Sequence, residues 1–159
     1  MPEQNPNLAI VWYHRAIAYF PAYAKARVHL AEIYASQGQP ANAEALLIPA
    51  LSSRDPEVDW RLADVLIAQQ RFEEAEIQLE TARSGFEHLL ERHLYAFADH
   101  AAEFYAGIGK DRRRALEPAR ANVANRPTRR AVKQVQAITS QCAEGERTRQ
   151  EPSCSSRGA

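Results

Sequence analysis

The stretch from residue 24 to residue 89 decides the fold, because it contains the same pattern twice. Residues 24–55 read AKARVHLAEIYASQGQPANAEALLIPALSSRD, and residues 56–87 read PEVDWRLADVLIAQQRFEEAEIQLETARSGFE. Apolar residues recur at an offset of 32, in the pairs Leu30/Leu62, Ala31/Ala63, Ala43/Ala75, Leu47/Leu79 and Ala50/Ala82. Self-similarity with a period in the low thirties is typical of stacked helical hairpins.

The composition favours helices over strands. The chain has 159 residues, of which 45% are hydrophobic, and this suits one ordinary domain or a short repeat array. Ala, Glu, Leu, Arg and Gln dominate, and the β-branched residues are scattered rather than alternating. We therefore predict an all-α protein, an α-solenoid of antiparallel helix hairpins.

Turn residues place the first hairpin over residues 22–37 and 40–52. Gly38 suits a left-handed cap after the first helix, and Pro40 suits the first turn of the second. Pro49 falls inside that second helix, where it removes an N–H group and its ring clashes with the preceding turn. We therefore expect a kink or early fraying at Pro49.

The second hairpin is predicted over residues 56–69 and 71–84. Asp55 can accept hydrogen bonds from unpaired helical N–H groups, and Pro56 has no N–H to satisfy. Beyond it the period lengthens, so we expect an extended second helix and a short turn near His93. The predicted organisation is an N-terminal extension (1–7), a half repeat (8–21), two repeats (22–55 and 56–89), a degenerate repeat (90–127), a terminal helix (128–142) and a disordered tail (143–159).

These residues resemble the tetratricopeptide repeat family, whose pattern places small residues where two helices cross and large residues between them. The small residues are Ala31, Ala43, Ala50, Ala63, Ala75 and Ala82, and the large ones are Leu30, Tyr34, Leu47, Leu62, Leu66, Phe72 and Leu79. The segment 70–75 is similar to the family's turn into its second helix, whereas Arg27 and Asp59 stand where the family often has Trp. The resemblance covers roughly residues 8–127. It implies a right-handed superhelix that acts as a non-catalytic protein-protein interaction scaffold.

The resemblance also implies a concave groove lined by the first helix of each hairpin. We expect a protein or peptide partner to bind at these inward positions: Lys25, Val28, Glu32, Ala35, Glu57, Trp60, Asp64, Ile67, Asp99 and Glu103. Relatives that hold the C-terminal carboxylate of chaperones use basic and amide residues there. The acidic stripe of Glu32 and Asp64 therefore favours a basic or cationic peptide, with Trp60 as an apolar anchor. The alternative interpretation is a set of ordinary exposed polar residues.

Charge is divided unevenly along the chain. Residues 1–109 contain 8 Lys or Arg against 15 Asp or Glu, whereas residues 110–133 contain 9 against 2. An alternative function is therefore polyanion or nucleic-acid binding through the segment 112–133, which contains Arg112, Arg113, Arg114, Arg120, Arg126, Arg129, Arg130 and Lys133. The segment has no aromatic residue for base stacking, which argues against nucleic-acid recognition. A solvated helix or a contact with the acidic half of a neighbour also explains the charge.

The segment Leu8–Phe20 is apolar around much of its circumference. Its Tyr13, Ala16 and Ile17 match Leu47, Ala50 and Leu51 one repeat later, as in the second helix of a hairpin whose first helix is missing. A helix this apolar needs burial on more than one side. We expect either a larger array or a self-association module, whose contacts would be Ile10, Val11, Trp12, Tyr19 and Phe20.

No sequence pattern indicates catalysis, a metal or a cofactor. His88 and His93 are five residues apart, so they do not share a helical face, and no zinc-binding pattern occurs. Gly107–Lys110 resembles the end of a phosphate-binding loop, but Asp111 stands where that loop needs Ser or Thr. We therefore expect a protein that is not an enzyme.

We expect no secretory signal in the N-terminal residues. Met1–Asn7 lacks a basic region followed by an apolar core, and no apolar run approaches the length of a membrane span. Cys142 and Cys154 both lie near the C-terminus, which does not support a disulfide framework. We therefore expect a cytoplasmic protein without a membrane partner.

Overall fold

Helices account for all the regular structure in the part of the chain that is described. The structure is a computed structural model that describes residues 6–150, with side chains over residues 7–144. The elements are α1 (Pro6–Tyr19), α2 (Ala24–Ser36), α3 (Pro40–Leu47), a 3-10 helix (Ile48–Ser53), α4 (Pro56–Ala68), α5 (Phe72–Ala106), α6 (Arg112–Asn125) and α7 (Arg129–Gln150). The chain divides into two compact units, Met1–Leu89 and Leu90–Ala159. The prediction of an all-α fold of helical hairpins is confirmed.

Buried alanines let the helices of the first unit approach one another closely. The six alanines predicted at helix crossings are each at most 4% exposed. Leu30 and Leu47 are fully buried beside them, and Leu62 and Leu66 fill the second hairpin. Small side chains at a crossing allow a short distance between helix axes, and the large ones fill the space on either side. One large residue differs: Phe72 is 63% exposed, because it opens α5 beside the turn instead of lying between the helices.

The turn of the first hairpin forms as its residues predict. Gly38 has a φ of +73°, the left-handed conformation that glycine adopts without steric cost. Pro40 occupies the first turn of α3. The helix ends at Leu47, two residues before Pro49, and the chain continues as a 3-10 helix to Ser53. The proline therefore ends the α-helical hydrogen bonding where fraying was expected.

The second hairpin begins with a side-chain cap. The backbone N–H of Glu57 donates to Asp55 Oδ1 at 3.1 Å, and Pro56 follows directly as the first helical residue. Gly85 in α5 packs against that proline, because a Cβ atom at Gly85 would lie 2.8 Å from Pro56 Cβ. One residue further, Phe86 meets the Trp60 ring edge-on, with centroids 6.2 Å apart. The extension of α5 beyond residue 84 therefore closes the open end of α4.

A polar network joins the two hairpins at their turns. Glu44 of α3 accepts from Gln69 Nε2 at 2.9 Å and from Arg71 Nη1 at 2.6 Å. Arg71 also pairs with both carboxylate oxygens of Glu74, at 2.7 and 2.6 Å. The hydrogen bond from Gln69, and then that from Arg71, lowers the pKa of Glu44 below its ordinary value. Its carboxylate therefore stays charged and paired at neutral pH.

The second unit contains the rest of α5 together with α6 and α7. His93 has a φ of −142° and a ψ of 44°, outside the helical range, where a short turn was expected. After the turn at residues 107–111, Asp111 caps α6 by accepting from the backbone N–H of Arg114 at 2.9 Å. The core here includes Phe104 and Tyr105 of α5, with alanines of all three helices.

The termini differ from the sequence expectation. α1 begins at Pro6, so residues 6 and 7 are helical and not part of an extension. α7 continues to Gln150, although a disordered tail was predicted from residue 143. Strong helix formers such as Ala143 and Glu144 continue the helix, and Pro is absent until residue 152. Residues 151–159 of the predicted tail, and residues 1–5 of the extension, lie outside the described part of the chain.

The turn of the second hairpin yields a stability prediction. Gln70 is the equivalent of Gly38, and it has a left-handed φ of +63° that costs an L residue about 1 kcal/mol. We expect Gln70→Gly to raise the free energy of unfolding by roughly 0.5–1 kcal/mol, as measured by urea denaturation. Gln37→Gly is the matched control, since Gln37 has a φ of −88° and gains nothing from glycine. Equal effects of both substitutions would contradict the assignment.

Candidate functional site

A cleft opens between α2 and α4, the first helices of the two hairpins. It has a volume of about 170 Å³, and its lining residues are Ala31, Glu32, Ala35, Leu47, Arg61, Asp64 and Val65. Small-molecule sites usually enclose roughly 300–1,000 Å³, so a cleft of this size suits one side chain of a protein partner. The residues form an apolar floor with charged groups beside it.

Arg61 is the central charged residue of this cleft. Its Nη2 lies 2.7 Å from Glu32 Oε1 and its Nη1 lies 3.5 Å from Asp64 Oδ2, so one guanidinium joins two equivalent carboxylates of successive repeats. The guanidinium carbon also lies 3.7 Å from the centre of the Trp60 ring, in a cation–π contact. Glu32 and Asp64, which were predicted to form an acidic stripe, therefore share one guanidinium that partly neutralises them.

A hydrogen bond to His29 is the main cause of the lowered pKa of Glu32. Glu32 Oε2 lies 3.0 Å from His29 Nδ1. Burial opposes this effect by favouring the neutral acid, and the charge of Arg61 adds to the lowering. Glu32 therefore stays ionised at the mouth of the cleft at neutral pH.

A second ion-pair group lies at the start of α4. Lys25 Nζ pairs with Asp55 Oδ2 at 3.1 Å and also with Glu57, which is only 2% exposed. Burial alone would lower the pKa of Lys25, but the hydrogen bond and charge of Glu57, together with Asp55, raise it above the ordinary value. The ammonium group of Lys25 therefore neutralises the buried carboxylate of Glu57.

The structure places the predicted groove residues of the first unit in different surroundings. Val28 is fully buried and Trp60 is only 4% exposed, against Phe86, so neither offers an exposed surface to a partner. The expectation that Trp60 is an exposed anchor failed because α5 extends past the predicted helix end and supplies Phe86. Ile67 is 37% exposed, and Ala35 is exposed at the cleft. The described residues therefore bring together Glu32, Asp64 and Ala35 of the predicted set.

The two groove residues predicted in the second unit face α7. Gln134 Nε2 donates to the backbone carbonyl of Asp99 at 3.0 Å. Arg130 Nη2 lies 3.4 Å from Glu103 Oε2. The terminal helix thus occupies the side of α5 where Asp99 and Glu103 were expected to meet a partner.

The predicted basic patch lies on α6 and α7, which pack against each other. Arg114 pairs with Glu117, and its guanidinium carbon lies 5.7 Å from the centre of the Tyr105 ring. The remaining basic side chains of this segment are exposed: Arg112, Arg113, Arg120, Arg126, Arg129, Arg130 and Lys133. Polyanion binding by this segment stays a prediction.

Two further findings concern metals and membranes. Among the side chains described over residues 7–144, no group of three or more His, Cys, Asp or Glu residues could hold a metal ion. None of the helices described between residues 6 and 150 is long and apolar enough to cross a membrane.

Arg61 is the site residue that sequence reasoning missed. The signal was present, because His29 and Arg61 are equivalent positions at the 32-residue offset. Each stands three residues before an acid of the stripe, which is the spacing of side chains that meet on a helix surface. The inward acids therefore have basic or imidazole partners on the same helices.

The comparison with known families agrees with this architecture. The family model described as "Tetratricopeptide repeat" matches residues 3–54. The matched segment includes α1, α2, α3 and the 3-10 helix, and it resembles a tetratricopeptide repeat. Proteins of this repeat family are generally non-catalytic scaffolds, which supports a general role in protein-protein interaction.

Among solved structures, the repeats are similar to the protein in "Crystal structure of MamA". The identity is 17%, the TM-score is 0.43, and the match covers 84% of this chain and 77% of that chain. No curated protein sequence matches the chain.

The contacts of Glu32 generate a prediction for its pKa. We expect Arg61→Gln to raise the pKa of Glu32 towards its ordinary value of 4.5, and His29→Leu to raise it more, because the His29 hydrogen bond is the larger cause. Titration of the Glu32 carboxyl carbon by NMR measures both shifts. Arg83→Gln is the control, since Arg83 pairs with Glu80 on α5. An unchanged pKa in both cleft variants would refute the arrangement.

Burial of Asp59 predicts a dependence of stability on pH. Desolvation is the main cause that raises the pKa of this carboxyl from 3.8 to about 6, and the nearby charge of Asp55 contributes. The folded state then binds more protons than the unfolded state between these values, so the stabilising contribution is lost as pH rises through 6. We expect Asp59→Asn to match the wild type near pH 4 and to exceed its unfolding free energy by roughly 2 kcal/mol at pH 8.

The experiment is a series of denaturant unfolding curves between pH 4 and pH 8. Glu73→Gln, on the exposed side of α5, removes one negative charge without changing a buried group. A constant difference between Asp59→Asn and the wild type across this range would show that Asp59 is not responsible.

Proposed function

We propose that the repeats bind a protein segment in the cleft between α2 and α4, and that this segment carries an apolar side chain next to a basic one. The observation that carries the proposal is the combination of an apolar floor with two carboxylates, Glu32 and Asp64, one repeat apart. A single guanidinium, that of Arg61, stands between them. The cleft therefore keeps a net negative charge.

The apolar floor supports insertion of one side chain of the partner. Ala31, Leu47 and Val65 line the cleft, and Ala35 leaves its outer end open. Transfer of an aliphatic side chain from water into such a cleft contributes about 25 cal/mol per Å² of apolar surface removed from water. Ala31, Leu47 and Val65 are themselves at most 3% exposed, so the exposed Ala35 at the mouth of the cleft is the apolar contact for the partner in place of Trp60.

The carboxylates supply specificity for the neighbouring basic residue. Glu32 and Asp64 have side chains 36% and 40% exposed, so a ligand cation can approach them while Arg61 stays on the Trp60 ring. Partly exposed charges of this kind mainly affect the association rate and the choice of partner. A ligand with an acidic residue at this position is disfavoured for the same reason.

A displayed library of random peptides tests the proposal with the full chain as bait. We expect enrichment of peptides with a basic residue beside an aliphatic one. Ala35→Trp fills the cleft and Asp64→Lys reverses its charge, so each should raise the dissociation constant of a selected peptide by about tenfold or more. The dissociation constants are measured by isothermal titration calorimetry.

Matched controls separate the cleft from the general surface. Ser36→Trp adds the same bulk one residue away, and Glu73→Lys reverses a charge on α5, and both positions are exposed outside the cleft. Both controls should keep the affinity within about twofold. The proposal is contradicted if the selected peptides bind Ala35→Trp and Asp64→Lys as tightly as the wild type.

A further inference from the structure

Large apolar side chains are exposed along and after α1. Leu8, Val11 and Trp12 are 57%, 47% and 58% exposed, and Tyr19 and Phe20 are 90% and 59% exposed. The aromatic members alone present on the order of 400 Å² to solvent, and patches of several hundred Å² mark interaction sites. This is the strongest unpartnered apolar surface in the described part of the first unit.

The exposed residues lie on the side of α1 that is opposite α2. His14 Nε2 lies 3.0 Å from the Tyr34 hydroxyl, and the Tyr13 ring lies 5.8 Å from that of His29, so these residues mark the α2 side. Ile10, a predicted self-association residue, stands one turn before His14 on the same side and is half-buried. At 100° per residue, positions 8, 12, 15 and 19 fall about half a turn away. We call these four residues the α1 stripe.

Another helix of the repeat array would leave most of the α1 stripe exposed. Pro6–Tyr19 corresponds in register to Pro40–Ser53, so the positions that α2 covers on α3 are equivalent to Ala9, Tyr13 and Ala16. A preceding helix would sit on those residues. The stripe positions Leu8, Arg15 and Tyr19 are instead equivalent to Asn42, Pro49 and Ser53, which are all exposed, whereas Trp12 is equivalent to the half-buried Leu46. The apolar character of the stripe therefore needs an explanation outside the repeat stack.

We propose that the α1 stripe binds the same stripe of a second copy of this chain, with the two helices antiparallel. The spacing of residues 8, 12, 15 and 19 is four, three and four, which reads the same in both directions. A two-fold axis between residues 13 and 14 therefore sets Leu8 opposite Tyr19 and Trp12 opposite Arg15. Alternation of three and four is also the spacing of a helix-helix seam with interlocking side chains.

The residues that meet across this axis are chemically complementary. Arg15 already lies over the Trp12 ring of its own helix, with its guanidinium carbon 5.1 Å from the ring centre. In the pair, each Arg15 faces the other helix's Trp12 and not the other Arg15, so a cation–π contact replaces a repulsion. α1 contains no Asp or Glu, so no carboxylate is buried at the seam. The ring pair of Phe20 and Tyr23, 6.2 Å apart, extends the apolar surface beside the other helix's Leu8.

The test is the molar mass of the full chain in solution. Light scattering after size-exclusion chromatography should rise with concentration from the 17.9 kDa monomer to twice that mass. Trp12→Glu and Tyr19→Glu should each raise the dimer dissociation constant by at least about tenfold, because they set a charge in the centre or at the end of the seam. Tyr19, at 90% exposed, has no structural role in the monomer that its loss could disturb.

Ile77→Glu is the matched control, because Ile77 is 64% exposed on α5 and lies outside the α1 stripe. This variant should dimerise like the wild type. A wild-type chain that stays monomeric at all concentrations, an assembly larger than a dimer, or a dimer that survives both α1 substitutions would overturn the proposal. Loss of the dimer in Ile77→Glu as well would assign the contact to another surface.

Cysteine cross-linking tests the orientation, with Cys142 and Cys154 replaced by serine. An equimolar mixture of Leu8→Cys and Tyr19→Cys chains should form a mixed disulfide in an antiparallel pair. Leu8→Cys alone should form none, because two copies of residue 8 lie at opposite ends of the seam. A disulfide between two Leu8→Cys chains would indicate parallel helices and contradict the proposed axis.

Discussion

Close approach of helices at alanine crossings is the constraint on which the first unit depends. Ala31 and Ala63 of the first helices, and Ala43 and Ala75 of the second, are at most 1% exposed. A larger side chain at any of these positions would force two helix axes apart, and the leucines beside them would then lose contacts with both neighbours. Because each hairpin buries its apolar face only against the next one, the stability of such an array is a property of neighbouring pairs.

Ion pairs between successive hairpins reduce the negative charge in and around the cleft between α2 and α4. Lys25 reaches Glu57, Arg61 reaches Glu32, and Arg71 reaches Glu44, so each pair spans the contact between two repeats. Pairs that are partly exposed contribute little free energy individually, about 0–1 kcal/mol. At the cleft, their main effect is that Arg61 partly neutralises the carboxylates of Glu32 and Asp64. The excess of acidic residues in the first 109 positions therefore overstates the negative charge of the cleft.

The repeat pattern made the hairpins predictable, whereas the cleft depended on contacts that no periodic pattern contains. The buried positions of Ala31 and Ala63 were predictable because small buried residues recur with the same period as the helices. Trp60 was misplaced because its exposure depends on where α5 ends, and Phe86 lies beyond the predicted end of that helix. The spacing of Arg61 to Asp64 on the same helix was visible in the sequence, but its contact with Glu32 of the preceding repeat was not, because a long side chain can reach several neighbours. The left-handed conformation of Gln70 was not predictable, because no glycine marks that position in the sequence.

The two tryptophans of the chain show why α1 differs from the interior of the array. Each has an arginine on its ring, at 3.7 Å for Arg61 on Trp60 and 5.1 Å for Arg15 on Trp12. Trp60 is covered by Phe86, and its arginine is held by carboxylates of two repeats. Trp12 is 58% exposed on a helix without acidic residues. Within α1, therefore, no aromatic ring covers Trp12 as Phe86 covers Trp60, and no carboxylate holds Arg15. A second α1 offers a ring for each arginine and an apolar surface for each ring. A leading repeat helix packed on Ala9 and Ala16 would instead leave Tyr19 exposed to solvent.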